Sequence, residues 1–370
     1  MVGVFTFSDK ASTSWIFYIF ALFYAAIGMI YILQKRFVVI CDHWVNINLI
    51  FILWMISSGL WQYSTEVYFQ RIVTVTIIVF FCFLTSQFIK EKEDVQTYIK
   101  CVVFANVVNC IYRLLNGGFL QVLGEYKSDE ILLVGANNLA MMVVITFALG
   151  VYCYRESKNV IYLGASVLFL VVALMTGSRK ALIGMALVLV VQYIIKDKHY
   201  IRNTFVAALL LMLFVIIITR VEMFEYTLER FQRMLDYRQG EVGVDESLST
   251  RMKYIRVGFK AFQQRPILGY GVGYSYTNLT GNEHTYLHNN YLELVVSLGI
   301  IGLFIYYAQY FWILIRALRK KISNNFKVTI ITLIITFLFV FDIGAVTYFE
   351  KYTLIALHLM YLMTRYKEKQ

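Results

Sequence analysis

Residues 290–315 read NYLELVVSLGIIGLFIYYAQYFWILI, an apolar run in which Glu293 is the only charged residue. At about 1.5 Å per residue, such a run is long enough to cross a hydrocarbon core about 30 Å thick as an α-helix. Comparable runs recur along the chain, of which 59% is hydrophobic and only 15% charged. The sequence therefore predicts an all-α, polytopic membrane helical bundle, since the alternating pattern of barrel strands is absent.

We predict about eleven or twelve transmembrane helices. The apolar runs place them at 15–33, 44–61, 72–89, 98–115, 131–153, 159–176, 180–196, 203–219, 290–315, 326–345 and 350–364. Lysine and arginine concentrate in alternate loops, and the positive-inside rule makes those loops cytoplasmic. The net charge of +11 thus reflects topology and not nucleic-acid binding. With eleven helices the N-terminus lies outside, whereas one helix more or fewer would reverse this.

The chain is expected to form one integral membrane domain, 1–370, with a large extracytoplasmic loop over 220–289. This loop contains two amphipathic helical patterns, which either lie along the membrane surface or cap the bundle. Their apolar positions are Phe224, Leu228, Phe231 and Leu235 in the first pattern, and Met252, Ile255, Phe259 and Phe262 in the second.

No metal and no cofactor are expected. The five cysteines form no C-x-x-C motif, and the outer loops hold neither an Asp-x-Asp motif nor a cluster of histidine, cysteine and carboxylate residues. ATP is absent from an outward-facing site, so the substrate of any group transfer there must arrive already activated.

The sharpest local feature is the stretch HTYLHNNYLE at 284–293, where the outer loop becomes a helix. Asn289 or Asn290 is a suitable N-cap, and the helix start offers backbone N–H groups and a positive dipole end to an anion. His288 is then either a catalytic base beside that anion or an interfacial histidine within an aromatic belt.

Two arginines are candidates for binding phosphate groups. Arg179 lies in the tight outer turn TGSRKA, where its planar donors suit phosphate oxygens, although an arginine there can also snorkel to the interface. Arg251 opens the second amphipathic pattern. At about 100° per residue, Lys253, Arg256 and Lys260 share a solvent-facing arc, whereas Arg251 flanks the apolar arc and should point toward the bundle.

Glycine clusters mark places where backbones approach closely. The stretch RPILGYGVG at 265–273 holds the only proline of the chain and predicts a turn, because no strand–helix unit surrounds it to form a nucleotide site. GANNLA at 135–140 opens a helix from the outer side. Gly299 and Gly302 are interpreted as helix-packing residues.

Together these segments resemble the O-antigen ligase/polymerase family of the bacterial cell envelope. The resemblance is carried by TGSRKALIG, STRMKYIRVGFKAF, RPILGYGVG and LHNNYLELVVSLGIIGL, in the family's order and on the expected side. GANNLA resembles the family's asparagine-containing helix start, except that Ala136 replaces the usual proline. The match covers roughly residues 130–305, and the first 125 residues resemble the family only in being helical.

The resemblance implies a glycosyltransferase of the GT-C type whose donor is a glycan linked to undecaprenyl diphosphate. It implies that His288 is catalytic and that Arg179 and Arg251 bind the diphosphate. The further residues expected to contact substrate are Asn137, Asn289 and Tyr291. The arginines would stabilise the leaving group in place of a metal, and His288 would accept the proton of the attacking hydroxyl, with inversion at the anomeric carbon.

The shared motifs leave the final activity open. We favour a polymerase that extends O-antigen, capsular or exopolysaccharide chains, because polymerases occur with many glycan types and need no outer membrane. A ligase that transfers the glycan to lipid A–core is the alternative, and a non-enzymatic lipid-linked oligosaccharide flippase is a second one. The expected location is the bacterial plasma membrane with the site facing outside. The expected partners are the lipid-linked donor, a glycan acceptor, membrane lipids and a chain-length regulator.

Overall fold

The computed structural model describes residues 14–34, 42–62, 66–116, 136–176, 178–194, 246–280 and 286–366. Within these ranges the regular structure is entirely helical. The helices are α1 (Ser14–Gln34), α2 (His43–Ser57), α3 (Glu66–Phe88), α4 (Lys92–Asn116), α5 (Ala136–Ser157), α6 (Val160–Met175), α7 (Arg179–Ile194), α8 (Glu246–Gln264), α9 (Asn290–Arg319), α10 (Asn324–Thr336) and α11 (Lys351–Met363). After α10 the chain continues through a π-helical segment, Phe337–Phe341, and a short turn, Asp342–Gly344.

The prediction of an all-α polytopic membrane protein is confirmed. Among the described residues, six helices are long and apolar enough to cross a membrane. They are His43–Leu60, Glu66–Phe88, Lys92–Leu115, Asn138–Ser157, Asn290–Arg319 and Asn324–Gly344. Ala21–Gln34 and Val160–Met175 are shorter apolar helices.

The largest differences from the predicted helix bounds occur at polar first turns. The helix predicted at 72–89 begins at Glu66, and the helix predicted at 98–115 begins at Lys92. Both starts were missed because charged residues interrupt the apolar run, yet acidic residues in a first turn are stabilised by the helix dipole. The helix predicted at 203–219 and the first amphipathic pattern lie outside the described residues.

Contacts divide the chain into two compact units. Unit 1 contains residues 1–26, 92–245 and 323–336, and its helix α5 packs against α4, α6, α7 and α10. Gln192 of α7 donates from Nε2 to the carbonyl oxygen of Ala148 at 3.3 Å, and Arg155 donates to the carbonyl oxygen of Gln192 at 2.6 Å. These bonds satisfy polar groups that would otherwise face an apolar surrounding.

Unit 2 contains residues 27–91, 246–322 and 337–370, and its helix α9 packs against α2, α8 and α11. A Cβ added to Gly302 would lie 3.2 Å from Nε1 of Trp54 on α2. The interpretation of Gly302 as a helix-packing residue is therefore confirmed. The Trp54 indole also donates to the carbonyl oxygen of Leu298 at 3.0 Å.

Helix α9 is broken at Gly299, whose φ of 68° and ψ of −176° are not helical. The glycine-rich turn at 265–273 fills the break, and three of the glycines in that turn also have positive φ. Three backbone hydrogen bonds join the turn to the break: Tyr270 N to Val296 O (2.8 Å), Gly271 N to Ser297 O (2.8 Å) and Ile300 N to Pro266 O (2.9 Å). Gly299 therefore serves a helix break, and its interpretation as a helix-packing residue is wrong. Such a break is tolerated in a membrane helix because protein groups replace the lost helical bonds.

Candidate functional site

The start of α9 is fixed by Asn289, which is the N-cap. Its side chain accepts a hydrogen bond from Leu292 N at 2.9 Å and donates to the carbonyl oxygen of Ile343 at 3.2 Å. The predicted cap is therefore confirmed, and of the two asparagines left open by the sequence it is the first. Asn290 instead donates to the hydroxyl of Tyr307 at 2.9 Å.

His288 precedes this cap and adopts a left-handed backbone conformation, with a φ of 55°. Such a conformation costs a non-glycine residue about 1–3 kcal/mol and persists only where the surroundings enforce it. The half-buried imidazole lies between two aromatic rings. Its centroid is 4.5 Å from that of Tyr286 and 6.3 Å from that of Tyr254, to which it is nearly parallel. The strain and the two rings together fix where the imidazole points.

Glu293, one turn into α9, holds the backbone next to His288. Its carboxylate is fully buried and accepts hydrogen bonds from Leu287 N at 3.3 Å, Ser275 Oγ at 2.5 Å and Ser297 Oγ at 3.2 Å. This bond to a backbone N–H upstream of the helix resembles the return bond of a capping box. The sequence reasoning assigned Glu293 no role, although the position of an acidic residue in the first turn was a usable signal.

Charged groups of both signs act electrostatically on the hydroxyl of Tyr286. Burial raises the pKa of this hydroxyl above its ordinary value, the Glu350 carboxylate adds to the rise, and the guanidinium groups of Arg71 and Arg251 offset part of it. Tyr286 is thus neutral at physiological pH and can donate a hydrogen bond. Arg71 lies with its Cζ 3.6 Å from the ring centroid of Phe349. Sequence reasoning missed Arg71 because the predicted helix began one residue after it.

The face of α8 that packs on unit 2 differs in part from the predicted one. Arg251 is half-buried, whereas Lys253, Arg256 and Lys260 are exposed, as predicted. The apolar arc, however, was expected to mark the side toward the bundle, and this is wrong. Met252, Ile255 and Phe259 are exposed, and of the arc only Phe262 packs against the buried cluster, beside Tyr254, Gly258 and Ala261.

Close approach explains why this other face is the packed one. A Cβ added to Gly258 would lie 2.7 Å from Leu292 Cδ2 and 3.0 Å from Leu287 Cδ1. Ala261 belongs to a buried cluster with Tyr270, Leu287 and Val296. Small residues at helical spacing therefore let α8 lie against α9, and a hydrophobicity pattern does not detect them.

Tyr291 follows the cap and packs within the protein. Its ring is stacked on that of Tyr307 at 5.1 Å, and its hydroxyl donates to the carbonyl oxygen of Leu338 at 2.7 Å. The Tyr307 hydroxyl in turn donates to Asp342 at 2.8 Å. The expected substrate contacts of Asn289 and Tyr291 stay predictions, and each residue has a clear role in fixing the start of α9.

Arg179 and Asn137 belong to unit 1. Helix α6 ends at Met175 and α7 begins at Arg179, which agrees with the predicted tight turn. The carbonyl oxygen of Ser178 accepts hydrogen bonds from the backbone N–H groups of Ala181 (2.9 Å) and Leu182 (3.3 Å) in the first turn of α7, and Arg179 is half-buried. Asn137 lies in the first turn of α5, and its side chain is outside the described part of the chain.

Of the site residues predicted in unit 2, His288 contacts the Tyr286 ring, Arg251 acts electrostatically on the Tyr286 hydroxyl, and Asn289 caps the helix that follows. In the part of the chain that the structure describes, no group of three or more histidine, cysteine or acidic residues is arranged to hold a metal ion. Four cysteines within that part, Cys82, Cys101, Cys110 and Cys153, are free thiols.

Comparison with known families gives one match. Residues 164–307 match the family model described as O-antigen ligase. The matched region contains Arg179, Arg251 and His288, together with the turn at 265–273 that fills the break in α9. A search of curated proteins gives no match.

Proposed function

We propose, from the match of residues 164–307 to the family model described as O-antigen ligase, that this chain polymerises lipid-linked glycan repeat units. The donor is a glycan on undecaprenyl diphosphate, and the acceptor is a hydroxyl group on a second lipid-linked repeat unit. The reaction takes place on the outer side of a bacterial plasma membrane. It uses neither a metal nor a cofactor.

The observation that carries this proposal is the position of His288 against Tyr286, whose hydroxyl is also within the electrostatic influence of Arg251. The imidazole lies against the Tyr286 ring, and the Arg251 guanidinium acts electrostatically on the Tyr286 hydroxyl. A histidine and a permanent cation therefore both act on Tyr286, which lies just before the N-terminus of α9. This combination suits the transfer of a glycosyl group from a diphosphate leaving group.

In the proposed reaction the proton, the new bond and the leaving group are all accounted for by the donor, the acceptor and the named side chains. His288 accepts the proton of the acceptor hydroxyl while its oxygen attacks the anomeric carbon. The bond between that carbon and the diphosphate oxygen breaks, and the electron pair leaves with the lipid diphosphate. Arg251 stabilises the negative charge that grows on the leaving group, with the bidentate geometry that guanidinium offers to phosphate. For Arg179, a role in binding the diphosphate rests on the family resemblance alone. A single displacement of this kind inverts the configuration at the anomeric carbon.

The strained backbone of His288 supports a role beyond packing. A left-handed histidine costs free energy of folding, and such strain concentrates at functional sites. An interfacial histidine in an aromatic belt would need no such conformation. The same argument favours an enzyme over a flippase, which needs a pathway for the glycan and no preorganised base.

A ligase that delivers the glycan to lipid A–core is the second candidate, and the description of the matched family favours it. One experiment separates the two. Purified protein in lipid nanodiscs is supplied with a lipid-linked repeat unit in excess EDTA, and products are resolved on a gel. A ladder of longer glycans supports the polymerase, whereas product formed only after lipid A–core is added supports the ligase. Activity that EDTA abolishes and magnesium or manganese restores would contradict the metal-independent mechanism.

The proposed sidedness is tested separately with topology reporters. A reporter fused after Gly240 should report the outside, and one fused after Lys321 should report the cytoplasm, because basic residues flank the second position. A cytoplasmic signal at Gly240 would reverse the orientation and remove the site from the side where lipid-linked repeat units are polymerised.

A further inference from the structure

The two halves of α9 lie beside each other. Asn290 and Tyr307 are 17 residues apart, which in a continuous helix would separate them by about 25 Å along the axis. Their side chains nevertheless form a hydrogen bond of 2.9 Å, and the rings of Tyr291 and Tyr307 stack with centroids 5.1 Å apart. Two side chains cannot bridge 25 Å, so residues 290–298, the first half-helix, fold back at Gly299 against the half that follows.

Four hydrogen bonds close a ring that fastens the start of the first half-helix. Asn290 Nδ2 donates to the Tyr307 hydroxyl, and Tyr307 donates to Asp342 Oδ2 at 2.8 Å. The Thr347 hydroxyl donates to Asp342 Oδ1, and Thr347 N donates to Asn290 Oδ1 at 2.9 Å. All four residues are buried and belong to unit 2. We call them the buried ring.

The buried ring joins two segments that carry groups of the candidate site. Asn290 lies two residues after His288. Its Oδ1 also accepts a hydrogen bond from Tyr348 N at 3.1 Å, two residues before Glu350, whose carboxylate acts on the Tyr286 hydroxyl. The position of the histidine relative to the segment that carries Glu350 therefore depends on the bonds of one asparagine side chain.

The neighbours of Asn290 are attached to the same part of the chain. Asn289 Nδ2 donates to the carbonyl oxygen of Ile343 at 3.2 Å, and the Tyr291 hydroxyl donates to that of Leu338 at 2.7 Å. Leu338 lies in the π-helical segment that precedes Asp342, and such segments are frequent at functional sites. Three consecutive residues at the start of the first half-helix are thus bound to residues 338–348.

Asp342 determines the direction of the bonds in the ring. A carboxylate only accepts hydrogen bonds, so the Tyr307 hydroxyl must donate to it and must accept from Asn290 Nδ2. The amide of Asn290 is thereby oriented with its oxygen toward the backbone N–H groups. Asp342 is fully buried, and within the described part of the chain it forms no ion pair. An ionisable residue inside a membrane segment is costly and marks a functional role by default.

We propose that Asp342 is a positioning residue for His288. The carboxylate orients the buried ring, the ring holds the start of the first half-helix, and the imidazole projects from the backbone just before that start. Asp342 acts through these residues and not by contact with the histidine. This inference rests on the proposed function, because it requires a reaction whose rate depends on where the imidazole lies.

The test uses two variants that keep the shape of the ring and one control. Asp342→Asn removes the charge, and Thr347→Val removes one hydroxyl donor to the carboxylate. The matched control, Tyr310→Phe, also removes a buried hydroxyl from α9, one that lies 3.4 Å from the Tyr306 hydroxyl and takes no part in the ring. Each purified protein is assayed for elongation of a lipid-linked repeat unit, and its Tm is measured.

We expect both ring variants to lower kcat by about ten- to hundredfold with an unchanged KM, because a misplacement of about 1 Å can cost about 10²-fold. Thr347→Ser, which restores the hydroxyl, should recover most of the kcat that Thr347→Val loses. The control should keep the kcat of the wild type even if its Tm falls as far as that of the ring variants. If Asp342→Asn does not fold, the two substitutions of Thr347 decide the question.

A second measurement reports the position of His288 without catalysis. The rate at which diethyl pyrocarbonate modifies His288, read by peptide mapping, should change severalfold in the ring variants and stay unchanged in the control. Wild-type kcat and a wild-type modification rate in the ring variants would overturn the inference. An equal loss of kcat in Tyr310→Phe would do so too, since the ring would then serve stability alone. If the wild type elongates no glycan, the proposed function fails, and the modification rates still decide whether Asp342 positions His288.

Discussion

Gly299→Ala is the substitution with the most direct structural consequence. At this position a Cβ would lie 1.9 Å from Ile267 O and 2.7 Å from Leu268 N. Both atoms belong to the backbone, so no side-chain rotation relieves the clash. In addition, the φ of 68° and ψ of −176° lie in a region that is accessible almost only to glycine. The turn at 265–273 must therefore move away from the break in α9.

The expected cost is the sum of two terms. Separation of the turn from the break disrupts the three backbone hydrogen bonds that join them, each worth about 1 kcal/mol net. The unfavourable backbone conformation adds about 1–3 kcal/mol. The total loss is therefore about 4 kcal/mol or more, which corresponds to a fall in Tm of roughly 5 °C for a chain of 370 residues.

Thermal unfolding of the detergent-purified protein, followed by tryptophan fluorescence, measures this loss. The matched control is Gly164→Ala in α6, where an added Cβ has no neighbour within 4 Å. Alanine is favoured over glycine inside a helix by about 1 kcal/mol, so this control should unfold at the wild-type temperature or slightly above. A Gly299→Ala protein that is as stable as the wild type would refute the described contact between the turn and the broken helix.

The remaining predictions concern the residues proposed to take part in the reaction, and all are measured as glycan ladders from complemented null cells normalised to membrane protein. His288→Ala should abolish polymer, since a general base contributes typically about 10²–10⁴-fold, whereas His284→Ala should cost much less; a normal ladder from the first would leave His288 an interfacial histidine. Arg179→Lys keeps the charge but loses the bidentate fork, so it should lose most activity, and wild-type activity would show that charge alone suffices. Arg251→Ala should be inactive while Arg256→Ala, on the exposed arc of α8, should be nearly neutral. The reverse order for these two would contradict the packing of α8.

Several features were predictable because a short stretch of chain determines them. Each apolar run crosses the membrane as a helix whatever its neighbours are, since no other conformation satisfies its backbone within lipid. The N-cap at Asn289 depends on a bond to Leu292, three residues away, and its signal is therefore local. The exposure of Lys253, Arg256 and Lys260 likewise follows from the angular spacing of residues on one helix.

Other features depend on residues that are distant in sequence, and only the tertiary structure decides them. The pKa of the Tyr286 hydroxyl depends on the charges of Arg71, Arg251 and Glu350, which come from distant parts of the sequence. The packed face of α8 includes the small residues Gly258 and Ala261, which let α9 approach closely, and a hydrophobicity pattern does not record that distance. In the sequence, Gly299 looks like a glycine that lets helices pack closely, whereas in the structure it breaks α9. The groups that replace the lost helical bonds belong to a turn about thirty residues earlier, so the sequence around Gly299 does not reveal the break. Whether a segment enters the membrane depends on its own apolar residues, whereas the position of Arg251 relative to His288 depends on how the helices pack together.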